Sequence, residues 1–495
     1  MQTIPQDAPT LARALGHAPA SRWSTAGQNM ALTLFHRVAE RVPAYKRFLA
    51  SHRIRHKKIR TIADFAKLPT VDKKNYLSKY PLHDLCWDGT LEACSTVSVS
   101  TGSTGEPFFW PRATAHIQET TALFELLFQS YFQIQRVPTL FVIGYAMGMY
   151  VAGVYTTQCF SDIATRSKLV LVSPGLNAEN ILRIVKELGP RFQQLVIAGY
   201  PPFIKDVLER GRNEGVNWKR LKTKLIFGGE GFSESWRDYV LNLMGSKTPH
   251  DAINLYGTAD AAVLGHETSL SITLRRASVK DEWLRHRLFG QTEAIPSLLQ
   301  YYPFWRYFEA VEGELVFTAN TAIPLLRYNI HDRGGVIPFE DMRTLLFERS
   351  RELLSAPVSS LLWRLPFVYL FGRSDMTTTL YGLNIYPENI LAALESKAAL
   401  RFVTGRFTMQ HVEGRGKRQQ LEVHVELRPS TRPSRQLVLQ ITKGIDHTLT
   451  KVNAEYSTLR QTVSSIGLPK IALRLHGSPE FQKTLKSLAR PTRSL

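Results

Sequence analysis

The sequence predicts an α/β protein, in which a large domain of mostly parallel sheets flanked by helices precedes a small α+β domain. Three observations predict it. Four short apolar runs, "TLFVIGYA", "KLVLVS", "QLVIAG" and "KLIFGGE", alternate with stretches of helical periodicity such as "NAENILRIVKELG" and "PPFIKDVLERGRNEG". Strands spaced by helices are the signature of a parallel sheet. Second, the tips "FGGEGF", "LYGTADAA" and "NIHDRGG" put glycine next to acid at strand ends, where open α/β folds gather ligands. Third, the texture turns to β from Gly313, in "GELVFTA" and "PLLRYNI". After about residue 375, "EVHVEL" stands between the polar "GRGKRQQ" and "RPSTRPSRQ" as part of a smaller unit.

In chain order, the first ~95 residues read as helices. "MALTLFHRVAERVPAYKRFLA" carries apolar residues at helical spacing, interrupted at Pro43. "TIADFAKLPTVDKKNYLSKYPL" reads as a short helix, a turn at Pro69 and another helix from near Thr70 or Asp72. A run of small residues follows, then the strong helical pattern "ATAHIQETTALFELLFQSYFQ". No internal repeat is found.

The 495 residues suffice for two or three domains. Hydrophobic residues at 44% and charged residues at 21% fit a globular protein. Cys86, Cys94 and Cys159 have no metal-ligand spacing and no even count, which suits a reducing compartment, hence an expected cytoplasmic location. "MQTIPQDAPTLARALGHAP" lacks the basic and apolar regions of a secretory signal. No run approaches ~18 apolar residues, so no membrane span is expected. The net charge is +20, and from Arg401 to Leu495 there are 17 Lys/Arg against 6 Asp/Glu. A second basic run, "HRIRHKKIR", covers His52 to Arg60. A solvated basic surface and an anionic partner (nucleic acid, lipid headgroups, a nucleotide-bearing ligand or an acidic protein) both account for this charge.

Ser100, Thr101, Gly102, Ser103, Thr104 and Gly105, closed by Pro107, cannot build a core. An ordinary solvent loop is one reading. A phosphate cradle is the other, because glycine lets backbone N–H groups approach an anion and the hydroxyls add donors without bulk. Glu106 and Pro107 follow Gly105 where a Walker loop needs lysine and Ser/Thr, which argues against a P-loop NTPase.

Four motifs stand in one order: "STGSTGEP" (Ser100–Pro107), "LYGTAD" (Leu255–Asp260), "GELVFT…PLLRYNIHDRG" (Gly313–Gly334) and "GRSDM…GLNIYPENI" (Gly372–Ile390). Together they resemble the phosphate-binding, Tyr-Gly-x-Thr/Ser-Glu, ribose-binding and hinge motifs of the adenylate-forming enzymes. "VPAYKRFL…TIADFAKLPTVDKKNYL" is similar to the N-terminal region of their phenylacetate–CoA ligase-like branch, so the resemblance covers almost the whole chain. It implies a helical N-terminal region over 1–95, an ATP- and acyl-binding core over 96–374 and a mobile C-terminal domain over 375–495.

The resemblance also implies roles. Ser100 to Gly105 would wrap the β- and γ-phosphates of ATP. Gly229 and Glu230 would read adenine, Tyr256 and Gly257 would face the base, and Asp332 and Arg373 would hold the ribose. Asp375 takes the hinge position. Asp260 stands at the usual Mg²⁺-ligating glutamate and is one methylene shorter. Ala259 stands at the usual hydroxyl toward the α-phosphate, with Thr258 as a substitute if the loop shifts, and His331 replaces the usual glycine. The catalytic lysine is expected in the tail "HGSPEFQKTLKSLARPTRSL", with Lys486 the first choice and Lys483 the second. The acyl pocket is expected from "IGYAMGMYVAG", through Tyr145, Met147, Met149 and Val151, although core packing explains these residues about as well.

The implied reaction joins an apolar, aryl or fatty acid to AMP with release of pyrophosphate, then passes the acyl group to the thiol of CoA or a phosphopantetheinyl carrier protein of acidic surface. Transfer to an amine or to a partner's cysteine, as in acyl-protein synthetases, stays open. So does a catalytically degenerate binding protein, with nucleic acid a less favoured partner, and a homodimer.

Overall fold

The computed structural model describes residues 4–482 except 6, 101–107, 149–150, 293–294, 350–361, 374–377, 381–382, 386, 414–418, 453–455, 458–459 and 461–467. Residues 8–51 form three helices, Ala8–His17, Ala20–Arg41 and Pro43–Ser51, and only short helical turns follow up to Cys94. Pro43 ends the second helix and opens the third, where its missing N–H has no intrahelical partner to lose. Their apolar faces bury Trp23, Phe35 and Val38.

The helix expected from Thr70 or Asp72 does not form. Asp72 and Asn75 accept each other's backbone N–H through their side chains, at 2.6 and 2.8 Å, as at a helix start. The Leu77 and Ser78 N–H groups then reach back five residues, to the carbonyls of Asp72 and Lys73, and the α-helical ladder is not propagated. Only a short 3₁₀ turn, Leu77–Lys79, follows. Val71 instead pairs in parallel with Tyr328, far along the chain.

A two-stranded hairpin comes next, β1 (Cys94–Ser100) and β2 (Phe108–Ala113), with the small-residue run between them. The central sheet then builds from β3 (Thr139–Gly144), β4 (Leu169–Val172), β5 (Gln194–Gly199), β6 (Thr223–Gly228), β7 (Ala252–Thr258), β8 (Ala262–His266), β9 (Ser297–Gln300), β10 (Arg306–Val311), β11 (Glu314–Ala319), β12 (Leu325–Ile337) and β13 (Phe367–Arg373). Their order is β10-β11-β12-β13-β9-β8-β7-β6-β5-β3-β4. Every pairing from β7 to the β4 edge is parallel, and every pairing from β7 to the β10 edge is antiparallel. β3 and β5 are buried along their whole length, which is why they read as unbroken apolar runs. Helices such as Thr114–Phe132 and Pro201–Asn213 cover the sheet.

The C-terminal domain has its own core of Val423, Val425, Ile441 and Ile445. After the short hairpin β14 (Thr378–Leu380) and β15 (Leu383–Ile385) it comprises β16 (Val403–Glu413), β17 (Gln419–Leu427), β18 (Lys470–Arg474) and the helices Pro387–Leu394 and Arg435–Val452. It docks on the large domain. Leu400 packs into the apolar cluster beneath Pro201–Asn213, buried Lys205 donates to the Val403 carbonyl at 3.1 Å, and Arg428 bonds Glu209 and the Tyr239 hydroxyl. Cys86, Cys94 and Cys159 are free thiols. No helix among the described residues is long and apolar enough to cross a membrane.

Candidate active site

A cavity of about 390 Å³ opens beyond the carboxyl ends of β6 and β7, under the helix Pro387–Leu394. At the end of β6 the chain turns at Gly229, with φ +89°. A Cβ there would lie 2.9 Å from the Tyr200 ring, so space and conformation both call for glycine. Glu230 follows on the cavity wall. On β7, the buried Tyr256 donates its hydroxyl proton to Asp332 of β12, and its ring lies against Phe308 at 6.3 Å. Asp332 is 5% exposed and faces Arg373 across the β12–β13 ladder.

The turn after β7 carries Thr258, Ala259 and Asp260, all on the cavity wall. Thr258 Oγ1 accepts the Ala261 N–H at 3.1 Å, so it serves the turn itself. Two buried arginines hold the back of this turn by three consecutive carbonyls. Arg112 donates to those of Ala259 and Asp260, and Arg306 donates to that of Ala261. Arg306 is itself fixed by Glu119 and lies 3.2 Å from His116 Nε2. With the carbonyls drawn inward, the Asp260 side chain meets Lys73, whose Nζ is 4.0 Å from Oδ1 and sits over the Trp110 ring.

His331 adopts φ +63°, the left-handed region that glycine occupies freely. A larger residue held there costs about 1–3 kcal/mol and persists only where its surroundings over-determine it. Here they do. Its N–H donates to Asn329 Oδ1 at 2.8 Å, and its ring nitrogens lie 3.1 Å from Glu314 and 3.3 Å from Asp72.

The C-terminal domain adds two acids to the cavity, Glu388 and Glu395. Burial pushes each carboxyl up to about 7, against the opposing pull of Arg333 on Glu388 and of the Ser233 N–H, Arg275 and Lys205 on Glu395. Asp332 reinforces the shift at Glu388. Glu395 accepts the Ser233 N–H at 2.8 Å, across the domain boundary. Freed into water, both acids would titrate near the ordinary 4.5. The docked arrangement therefore holds more protons between about 4.5 and 7, and docking is expected to weaken as pH rises through that window. A fluorophore pair across the two domains is expected to read greater separation at pH 8 than at pH 6, and less change in Glu395→Gln. A flat profile in the unaltered protein would exclude the linkage.

The structure brings Gly229, Glu230, Tyr256, Gly257, Thr258, Asp260 and Asp332 around one cavity. Thr101 to Gly105, Met149, Asp375, Lys483 and Lys486 lie outside the described residues, as do the side chains of Ser100 and Arg373. Tyr145, Met147 and Val151 do not line the cavity. Tyr145 is buried edge-on against Tyr200, Met147 packs on Gly153 and Gly175, and Val151 joins the same core. The residues missed from sequence are Lys73, Arg112, Arg306, Glu388 and Glu395. An arginine inside the apolar "FFWPRA" was a usable signal; the others meet the site only through distant pairings.

No family model matches the chain. Two phenylacetate–coenzyme A ligases are similar in sequence. The one from Aromatoleum evansii is 21% identical over 404 residues, 80% of each chain. The one from Thermus thermophilus is 24% identical over 366 residues, 72% of each chain. Among solved structures, a 2-hydroxyisobutyryl-CoA ligase in its postadenylation state matches with TM-score 0.66 and 16% identity, covering 94% of this chain and 89% of its own. The fold is thus that of the adenylate-forming enzymes. In sequence, the chain is similar to the phenylacetate–coenzyme A ligases.

Proposed function

We propose that the protein is an ATP-dependent acid–thiol ligase, which activates an apolar aryl or fatty carboxylic acid as acyl-AMP and passes the acyl group to CoA. The observation that carries this is one cavity lined both by the Tyr256–Asp332 pair and by Asp260 with Lys73. Adenine would lie along Gly229–Glu230 and against Tyr256. The ribose hydroxyls would donate to Asp332, whose carboxylate is already oriented by the tyrosine. Phosphates would extend toward Lys73, which supplies positive charge there.

Mg²⁺ would take Asp260 as one oxygen ligand. Among the described residues no group of three or more ligating side chains stands ready for a metal. A single carboxylate nonetheless suits an ion whose other ligands are water and substrate phosphates. When bound, it would neutralise phosphate charge. The buried Arg112 and Arg306 would keep the Asp260 turn in place, since a displaced turn would move the carboxylate.

In the first step a carboxylate oxygen attacks the α-phosphorus, the bond to the β-phosphate breaks and pyrophosphate leaves. In the second a thiolate attacks the acyl carbon and AMP leaves. Residues 375–495 would rotate between the two steps, with Lys486 or Lys483 serving only the first. The three free thiols suit a reducing cytoplasm.

ATP–pyrophosphate exchange with a panel of aryl and fatty acids tests the reading, and exchange with none of them would overturn it. Lys486→Ala is expected to abolish exchange while sparing thioester formation from synthetic acyl-adenylate. If Lys483→Ala shows this split instead, the tail lysine is Lys483.

A further inference from the structure

On the nucleotide reading, Asp332 serves the ribose and Lys73 the phosphates; the two belong to segments far apart in the chain, and His331 adjoins both. Its backbone precedes Asp332 in β12. Its ring reaches Asp72, which precedes Lys73. The ring's other nitrogen is set by Glu314, which the Asn329 amide holds at 2.7 Å. Beside this contact, Val71 is zipped to the same strand, donating to the Arg327 carbonyl at 3.1 Å and accepting the Asn329 N–H at 2.8 Å. Asp72 is further pinned by its exchange of bonds with Asn75. Adjacent residues of a strand point to opposite faces, so the His331 ring goes to Asp72 while its neighbour Asp332 faces the cavity.

We propose that His331 is a positioning residue that couples the ribose end of the cavity to its phosphate end, holding Asp72 so that Lys73 stays aimed at Asp260. This rests on the nucleotide reading above. Lys73 stands at the phosphate end only, so loss of the coupling weakens ligands that carry β- and γ-phosphates and spares those that end at the α-phosphate.

The test compares ATP and AMP binding by titration calorimetry in the unaltered protein, His331→Gly, His331→Asn and Asp72→Asn. Glycine accepts φ +63° and asparagine tolerates it, so the backbone relief offsets part of the lost ring contacts and both variants are expected to fold. Each histidine variant and Asp72→Asn should weaken ATP about fivefold to tenfold and AMP less than twofold. In exchange kinetics the KM for ATP should rise by the same factor, with the KM for the acid unchanged. Adding His331→Gly to Lys73→Ala should cause no further loss of ATP affinity. An unchanged ATP-to-AMP affinity ratio in His331→Gly, in protein that binds both nucleotides, overturns the inference alone. If the unaltered protein binds neither nucleotide, the nucleotide reading falls and this inference with it.

Discussion

Asp332→Ala is expected to lower kcat/KM for ATP in pyrophosphate exchange by a hundredfold or more. Asp332 is buried, lines the cavity and receives the Tyr256 hydroxyl. In the proposed complex its carboxylate also accepts from both ribose hydroxyls. Hydrogen bonds to a charged group contribute about 1.5–3 kcal/mol each, and losing two therefore costs about 3–6 kcal/mol. That corresponds to a factor of 10² to 10⁴. Tyr256→Phe removes one orienting donor and leaves the carboxylate in place, so its loss should be nearer tenfold. Both variants are to be checked by thermal melting, because Asp332 sits in a long central-sheet strand. Less than a fivefold loss in a folded Asp332→Ala protein would remove the ribose assignment.

What the sequence made legible and what it hid separate along physical lines. Buried parallel strands such as "TLFVIG" and "QLVIAG" declare themselves, because both faces are covered and every position is apolar. Helices such as Ala178–Glu187 show their periodicity and their cap, with Asn177 accepting the Asn180 N–H. Gly229 was legible as a strand-end tip in "FGGEGF"; its close approach to Tyr200 was not. The site residues that carried over by motif, Tyr256, Asp260 and Asp332, meet in one cavity.

Hidden were the interactions set by pairing between distant segments. The bridge of Val71 to Tyr328 decides where Lys73 goes, and nothing local in "VDKKNY" encodes it. The same holds for Arg306, which reaches the 259–261 turn from β10, and for Glu395, which crosses a domain boundary. At Asp72 the start signal itself was legible, since Asp72 and Asn75 cap each other's N–H, but the chain beyond it turns wide, with Leu77 and Ser78 bonding five residues back, and no helix follows. The aromatic and methionine residues near Tyr145 illustrate a further limit. Apolar residues beside a binding region look alike in sequence whether they face ligand or core: Tyr145 packs on Tyr200 and Val151 on the same cluster, contacts that core packing accounts for as well as a pocket wall would.

Arg237→Met is expected to be the most destabilising single change in the cavity's support. Arg237 is fully buried and donates to Glu234 at 2.8 and 3.1 Å, to Glu267 at 2.6 Å and to the Ala252 carbonyl. Arg275 and Arg276 complete the network on Glu234, and Arg275 also donates to the carbonyls of Phe232 and Pro296. The turn carrying Gly229 to Ser233 thus rests on paired charges. Removing one partner leaves the others buried and uncompensated, a loss of about 3–5 kcal/mol. Burial alone would raise the Glu234 carboxyl, but the guanidiniums of Arg237, Arg275 and Arg276 outweigh it and hold the group at about 2. Its contribution is therefore present above about 4.5 and is lost as pH falls toward 2. In Arg237→Met that acid loss should begin at higher pH, and the melting temperature at neutral pH should fall by roughly 5 °C, at about 1.3 °C per kcal/mol for a domain of this size. Arg237→Met combined with Glu267→Gln removes the orphaned charge along with its partner, so it should be more stable than Arg237→Met alone. If the double variant melts no higher than the single one, an unpaired carboxylate is not what makes the change costly, and lost packing around the guanidinium is.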